Sequence, residues 1–534
     1  MKLHLFPVTS AGVALQAAGH APPRLSADSL RPYVGMLGVM LGAIISNLGN
    51  RVTNFGLADL RGGMHASFDE GAWITTSFGV GQMVMAVASP YVGAMFGVRR
   101  VLLLAIVLFF MTCLLGPLSP NLTAFITMQF LGGLSSGTFI PFTISFTLRS
   151  LPPRLVLYGI ALYSMNTELS QNIAASLEGW YTDHWSWAWI DWQYCLVLPV
   201  MFACIWYGVP REKGRVEVLR DLDWPGLAYA GIGFALLYAG LDQGNRLDWT
   251  NNGLVNGLLL SGALLTTTFV VRELVTPRPF LNIRVIVREN LPILLALLAG
   301  YRFIILSTAY IIPTYLQTVQ NFRELQVGAV LLWIALPQIV IVLPMAALLR
   351  RVDARWVLAL GSILVGVACL MATNLTSEWA TDDFLPSQIV QAVGQSFALT
   401  ALLMLIVRSV NPADILTIGA LLQIARQFGG EIGTAFMQTF VRMREQIHSN
   451  LIGAHVDGLS SYTIDRLATY RGAISERTAN AGEAAARATQ LLAQTVARQA
   501  SVLAYIDGFL AAAVGAFVCL LLVALIRKPP PSQF

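Results

Sequence analysis

Residues 93–118 read GAMFGVRRVLLLAIVLFFMTCLLGPL. A short loop ends on Arg99 and Arg100, and no charge follows from Val101 to Leu118. An uncharged apolar run of that length crosses a bilayer as a helix. The rest of the chain repeats the pattern. Of 534 residues, 56% are hydrophobic and only 12% charged, against roughly a quarter charged in a soluble domain. Such a chain cannot cover a globule with polar surface. It needs an apolar solvent, and lipid leaves an open backbone no form but the helix. The 45 glycines and 24 prolines then read as close-packing and kink positions rather than loops.

Fourteen spans are predicted. Six lie between Tyr33 and Val209; among them span four is Leu122 to Leu148, span five Leu155 to Tyr181 and span six Trp187 to Val209. Two more are Trp224 to Leu241 and Leu254 to Val271. Six follow from Leu291, the thirteenth ending at Phe440 and the last running from Val502 to Ile526. With the N-terminus inside, the inner short segments hold twenty-one lysines and arginines. The outer short loops hold three, Arg61, Arg246 and Arg323. That asymmetry obeys the positive-inside rule and sets both termini in the cytoplasm. The weakly apolar run through Ala18 lacks a cleavage pattern and reads as cytoplasmic tail.

The predicted organisation follows. Residues 1–32 are a cytoplasmic tail and 33–209 a six-helix half. Residues 210–272 are a linker with two inserted helices, and 273–534 a second six-helix half. Short basic loops at matching places, Gly93 to Arg100 and Arg350 to Arg355, suggest an internal repeat. Trp180, Trp185, Trp187, Trp189 and Trp192 cluster at one outer loop, as headgroup anchors do. Residues 441–501 are polar and carry seven arginines. No proline occurs between Pro412 and Pro529, and from Glu483 to Asp507 no glycine either. The expectation is a periplasmic helical segment that extends the last span outward.

Several function classes are disfavoured. The basic residues are scattered singly, which is no nucleic-acid signal. The five cysteines lie in or beside apolar spans without a CxxC pair, so no metal or cofactor is expected. All six histidines, His4, His20, His65, His184, His448 and His455, fall in tails or outer segments. An embedded enzyme needs a nucleophile and base, or metal ligands, facing one cavity; the chain is read as a transporter, not an enzyme.

Certain runs resemble the drug:proton antiporters of the major facilitator superfamily, in the fourteen-helix EmrB/QacA-type branch. They are Asp223-Trp224-Pro225-Gly226, Leu241-Asp242-Gln243-Gly244, Pro313-Thr314-Tyr315-Leu316-Gln317, Arg426-Gln427-Phe428-Gly429-Gly430 and Tyr505-Ile506-Asp507-Gly508-Phe509. The resemblance implies an all-α major facilitator fold and export from a bacterial inner membrane. It also implies a periplasmic membrane-fusion adaptor and, through it, an outer-membrane channel as partners. The family's coupling motifs are altered. Gly49 stands where span one usually carries aspartate, Gln129 replaces the span-four arginine, Ala94 replaces the loop aspartate, and 170–179 keep little of the antiporter signature.

Charges at bilayer depth are costly and are functional candidates by default. Arg51, Glu168, Arg302, Arg426 and Glu431 fall well inside spans, and Glu178 nearer an outer end. Either they pair with one another and fix the packing, or they hold substrate and protons. Three buried arginines suit an anionic or weakly acidic amphiphile. The expected function is therefore proton-coupled export of such a compound in a tripartite system. Export of an endogenous siderophore, lipid or aromatic acid is the alternative, as is a sensor without flux. Glu168, midway through span five, is the candidate proton carrier. A switch in which it pairs with Arg51, and on protonation releases it to the substrate, requires helices one and five to meet.

Overall fold

The computed structural model describes residues 29–212, 214, 223–276, 290–409, 415–458, 460–475 and 481–527. Most of the expected N-terminal tail and much of the 210–222 linker lie outside the described residues. So do nine of the basic residues used for the topology: Lys2, Arg24, Lys213, Arg215, Arg220, Arg278, Arg284, Arg288 and Lys528.

Every regular element among the described residues is helical. The first bundle holds α1 (Arg31–Phe55), the short α2 (Leu57–Gly63), α3 (Phe68–Phe96), α4 (Val98–Leu115), α5 (Leu122–Ser136), α6 (Phe139–Arg149), α7 (Pro153–His184) and α8 (Trp189–Gly208). Then come α9 (Trp224–Gly244) and α10 (Gly253–Val275). The second bundle holds α11 (Leu291–Ile304), α12 (Ile312–Thr318), α13 (Glu324–Leu348), α14 (Ala354–Met371), α15 (Leu385–Arg408), α16 (Ile415–Ala454), α17 (Ser461–Ser475) and α18 (Ala481–Ala524).

Local chemistry sets the starts. Pro occupies the first turn of α1, α7, α9, α11 and α15, where its missing N–H costs nothing. Ser67 and Glu70 close a capping box on α3. Asn121, Asp223 and Asn252 cap α5, α9 and α10 with side-chain oxygens.

Among the described residues, eleven helices are long and apolar enough to cross a membrane. The other three expected spans are helical too. Span four is broken into α5 and α6 at Gly137–Thr138. Span five, α7, and span thirteen, α16, are helices interrupted by many polar residues. The small residues of span four serve packing: a side chain at Gly133 would strike the Phe78 carbonyl, so α3 and α5 press backbone to backbone.

The halves meet along two seams, α7 against α13 and α3 against α16. The inserted pair leans on this frame through α9, which touches α3 and α16. Its turn is tied down by Arg246 to Asp69, Arg442 to Asp248 at 3.3 Å, and Trp249 Nε1 to Thr439 Oγ1 at 2.9 Å. Leu260, Leu264 and Val275 of α10, with Val340 and Leu521 elsewhere, are exposed and apolar, the surface a lipid solvent covers.

The helix expected over 483–507 is present, fused to the last span as one 44-residue rod, about 66 Å long. The 40-residue α16 runs beside it, and α17 packs on α18. Asp507 accepts from Arg444 Nε at 2.6 Å and contacts His448 Nε2 at 2.7 Å, which clasps α16 to α18 where the stalk begins.

Candidate functional site: a polar cavity between the halves

A cavity of about 270 Å³ lies between α1, α3, α9, the α11–α12 rod and α16. It runs from Asn47, Arg302 and Arg426 toward the stalk end at Phe55, Gln317 and Gln438. Toward the other end the halves close on a mainly apolar seam with two voids of about 20 Å³ each. Ile144, Tyr163, Leu403 and Leu422 line both, and Arg426 borders the one next to the cavity.

Four of the five candidate residues, Arg51, Arg302, Arg426 and Glu431, line this one cavity. Arg51 Nη2 donates to the Ala309 carbonyl at 2.7 Å, and its guanidinium lies 5.1 Å from the Phe55 ring centre. That carbonyl is available for a covalent reason. In an α-helix it would accept from residue 313, and Pro313 has no N–H. The same stretch, Ser307–Ile311, winds as a π turn, a common feature of functional sites.

Arg302 reaches across to Gly430 and lays its guanidinium over that residue. Among the described residues its buried Nε and Nη1 have no hydrogen-bond partner, nor does Arg51 Nε. Arg426 donates to Asn47 Oδ1 and to Gln423 Oε1, the latter at 3.1 Å. Among the described residues no carboxylate forms an ion pair with any of the three arginines. Buried guanidinium N–H groups without acceptors are costly, and an anionic ligand would supply the acceptors.

Glu168 lies elsewhere. It is buried in the seam between α7 and the second half. Its Oε2 accepts from Gln338 Nε2 at 3.2 Å and Ser396 Oγ at 3.5 Å, and its Oε1 has no partner. Helices α1 and α7 do meet, yet Glu168 and Arg51 form no pair. They are joined at a distance: Gln338 donates to Gln395, Gln395 donates to Thr308, and Thr308 belongs to the π turn that carries Ala309.

Three further groups, Asp242, Tyr238 and Asp191, escaped the sequence reading of charges at depth. Asp242 and Tyr238 of α9 line the cavity. Asp242 was set beyond the end of span seven, but the helix runs to Gly244. Asp191 is buried in the first turn of α8, and Gln129 donates to both its oxygens at 3.3 Å. It shares a small void with Gly49, so the two altered motif positions and this carboxyl stand together. The signal was an aspartate inside an apolar span, hidden by the tryptophans around it. Glu178, expected nearer an outer end of its span, is fully buried beside Gly56.

Two helical bundles closing on a polar cavity, with an apolar girdle outside, define a polytopic membrane transport fold. The chain belongs to the Major Facilitator Superfamily, whose profile matches residues 39–440. It is 21% identical to the fatty acid resistance protein FarB of Neisseria gonorrhoeae over 92% of this chain and 96% of that protein. It is 25% identical to the probable multidrug resistance protein EmrY of Escherichia coli K12 over 79% and 82%, and 22% identical to the multidrug export protein EmrB of Haemophilus influenzae over 92% and 95%. These relatives agree with the branch read from the sequence. Among solved structures, a POT family transporter matches with TM-score 0.58 at 12% identity, covering 92% of this chain and 96% of that one. The human transporter MFSD10 matches at 0.56 and 13%, covering 93% and 100%. The chain is thus a multi-pass membrane protein of a transporter family, not an enzyme.

Proposed function

We propose that this protein exports an amphiphilic, weakly acidic compound across a bacterial inner membrane, coupled to protons. The observation that carries the reading is the convergence of Arg51, Arg302 and Arg426 on one cavity without a carboxylate ion pair among the described residues. An anionic head group satisfies the orphan N–H donors of Arg302 and Arg51. The names of the relatives point the same way, one to fatty acid resistance and others to multidrug export.

The bias of basic residues supports cytoplasmic termini and a periplasmic 441–501 segment. With that orientation the cavity faces the periplasm, and the apolar seam around Tyr163 and Leu403 is the closed inner gate. Rocking of the half at 33–209 against the half at 273–534 moves the substrate outward. Helices within 210–272 brace the frame. Glu168 suits the role of coupling residue because both its hydrogen-bond partners come from the opposite half. Gain or loss of its proton alters the contact between the halves. The stalk of α16, α17 and α18 is the docking element for a periplasmic adaptor and, through it, an outer-membrane channel.

Purified protein in liposomes tests the reading. An imposed pH gradient is expected to drive accumulation of benzenesulfonate, a permanent anion that carries no proton itself. Accumulation independent of the gradient, or none, contradicts it.

A further inference from the structure

A second set of arginines converges away from the cavity, at the end of the first bundle opposite the stalk. Arg31 opens α1, Arg99 stands in the first turn of α4, and Arg211 follows the end of α8. Glycines bring them together. A side chain at Gly208 would strike the Gly35 amide nitrogen, so α1 and α8 cross backbone to backbone there. Arg31, one turn before Gly35, then stands 5.8 Å from the centre of the Tyr207 ring. Gly97, with φ at 83°, turns the chain from α3 into α4 in a conformation that favours glycine. Arg99 follows it and lies 5.0 Å from the centre of the Trp206 ring. Arg211 lies 6.0 Å from the same ring. Arg99 is close enough to feel the charges of both Arg211 and Arg31.

Among the described residues none of the three forms an ion pair. Glu212, next to Arg211 in the chain, is turned elsewhere: it accepts from the Val98 amide and lies in the field of Arg149. An aromatic ring orients a guanidinium but offers its N–H donors no acceptor atom, so they remain for another partner. Three like charges gathered at one place repel unless an anion joins them. The surface around them is apolar. Trp206 and Tyr207 are each 53% exposed. From Tyr207 a strip runs along α8 through Val200 and Leu196, both exposed. Steps of seven and four residues keep these side chains on one helix face.

We propose that Arg31, Arg99 and Arg211 hold the phosphate of an anionic phospholipid whose acyl chains lie along the exposed face of α8. The three positive charges select a head group with no amine to cancel its phosphate. The apolar strip selects a lipid over a free phosphate. In the orientation given by the basic residues the site faces the cytoplasmic leaflet, where basic pockets between helices take anionic head groups. The bound lipid joins α1, α4 and α8 at one end of the first half and stiffens that half as a body. The site is independent of what the cavity carries.

Three probes separate lipid from ion: dioleoylphosphatidylglycerol, dioleoylphosphatidylcholine and glycerol 3-phosphate. Native mass spectrometry of the full-length protein, purified and delipidated in a neutral detergent, reads affinity by titration. The wild type is expected to bind phosphatidylglycerol at least about tenfold tighter than phosphatidylcholine, undisturbed by glycerol 3-phosphate. The triple variant Arg31→Gln, Arg99→Gln, Arg211→Gln is expected to lose that preference. The double variant Arg350→Gln, Arg351→Gln, in a short basic loop of the second half, is expected to keep it. If the triple variant does not insert, Arg99→Gln alone decides, with an expected loss of about fivefold. Equal wild-type affinity for the two lipids, or a preference that survives loss of the arginines, overturns the site. An equal loss in the Arg350 and Arg351 variant assigns the preference to diffuse charge and overturns it too. Displacement of the lipid by glycerol 3-phosphate would mean a phosphate site that makes no use of the strip, and contradicts the assignment to a lipid.

Discussion

Arg51 on the first helix is hydrogen-bonded to the carbonyl of Ala309 in the other half, 2.7 Å away. Pro313 leaves that carbonyl without its helical donor. One covalent property of one residue thus leaves free the acceptor that holds a cationic side chain in the cavity between the halves.

Removing either end of that contact has a graded outcome. Arg51→Gln is expected to weaken benzenesulfonate binding by about ten- to a hundredfold, the size of a hydrogen bond to a charged group. Pro313→Ala restores a helical donor to Ala309 and should weaken binding less. Calorimetric titration checks both. Equal affinity in Arg51→Gln and the wild type removes Arg51 from the site.

Glu168→Gln keeps the shape of the seam and its hydrogen bonds but cannot exchange a proton. It is expected to abolish transport driven by a pH gradient in liposomes while leaving binding measurable. Wild-type flux with the same pH dependence would exclude Glu168 as the coupling residue and make Glu431 the next to test.

Ala473 sits exposed on α17. Four of the five native cysteines are buried and Cys195 is half-buried, so the background from native thiols should be low. A cysteine at Ala473 is expected to react with an impermeant maleimide in cells stripped of their outer membrane. Labelling only after lysis would reverse the proposed topology.

Deleting 460–489 removes α17 and the first turns of α18 but leaves the clasp of Arg444, His448 and Asp507. The shortened protein should insert and still bind benzenesulfonate, yet no longer co-purify with a co-expressed membrane-fusion adaptor. Undiminished co-purification would show that the stalk is not the docking element.

Hydropathy made the helices legible because burial in lipid leaves no alternative to them, and the outward extension of the last span was legible because 483–507 carry neither proline nor glycine. The break at Gly137 was not, since it depends on how closely α3 approaches. Arg51, Arg302 and Arg426 could be named from depth alone. Their meeting in one cavity could not, because it depends on how helices far apart in sequence pack. Asp242 was missed for a boundary error of a few residues. Asp191 was missed because its tryptophan neighbours read as headgroup anchors. The partners of Glu168 belong to α13 and α15, and only the closure of the two halves brings them near.

The most direct test of the account is benzenesulfonate binding to the purified wild type beside Arg302→Gln. Arg302 offers two buried N–H groups with no acceptor among the described residues, so it should bear on the anion more than any other side chain. The account expects saturable binding by the wild type and at least about a tenfold loss in the variant. Equal affinity in the two proteins would contradict it.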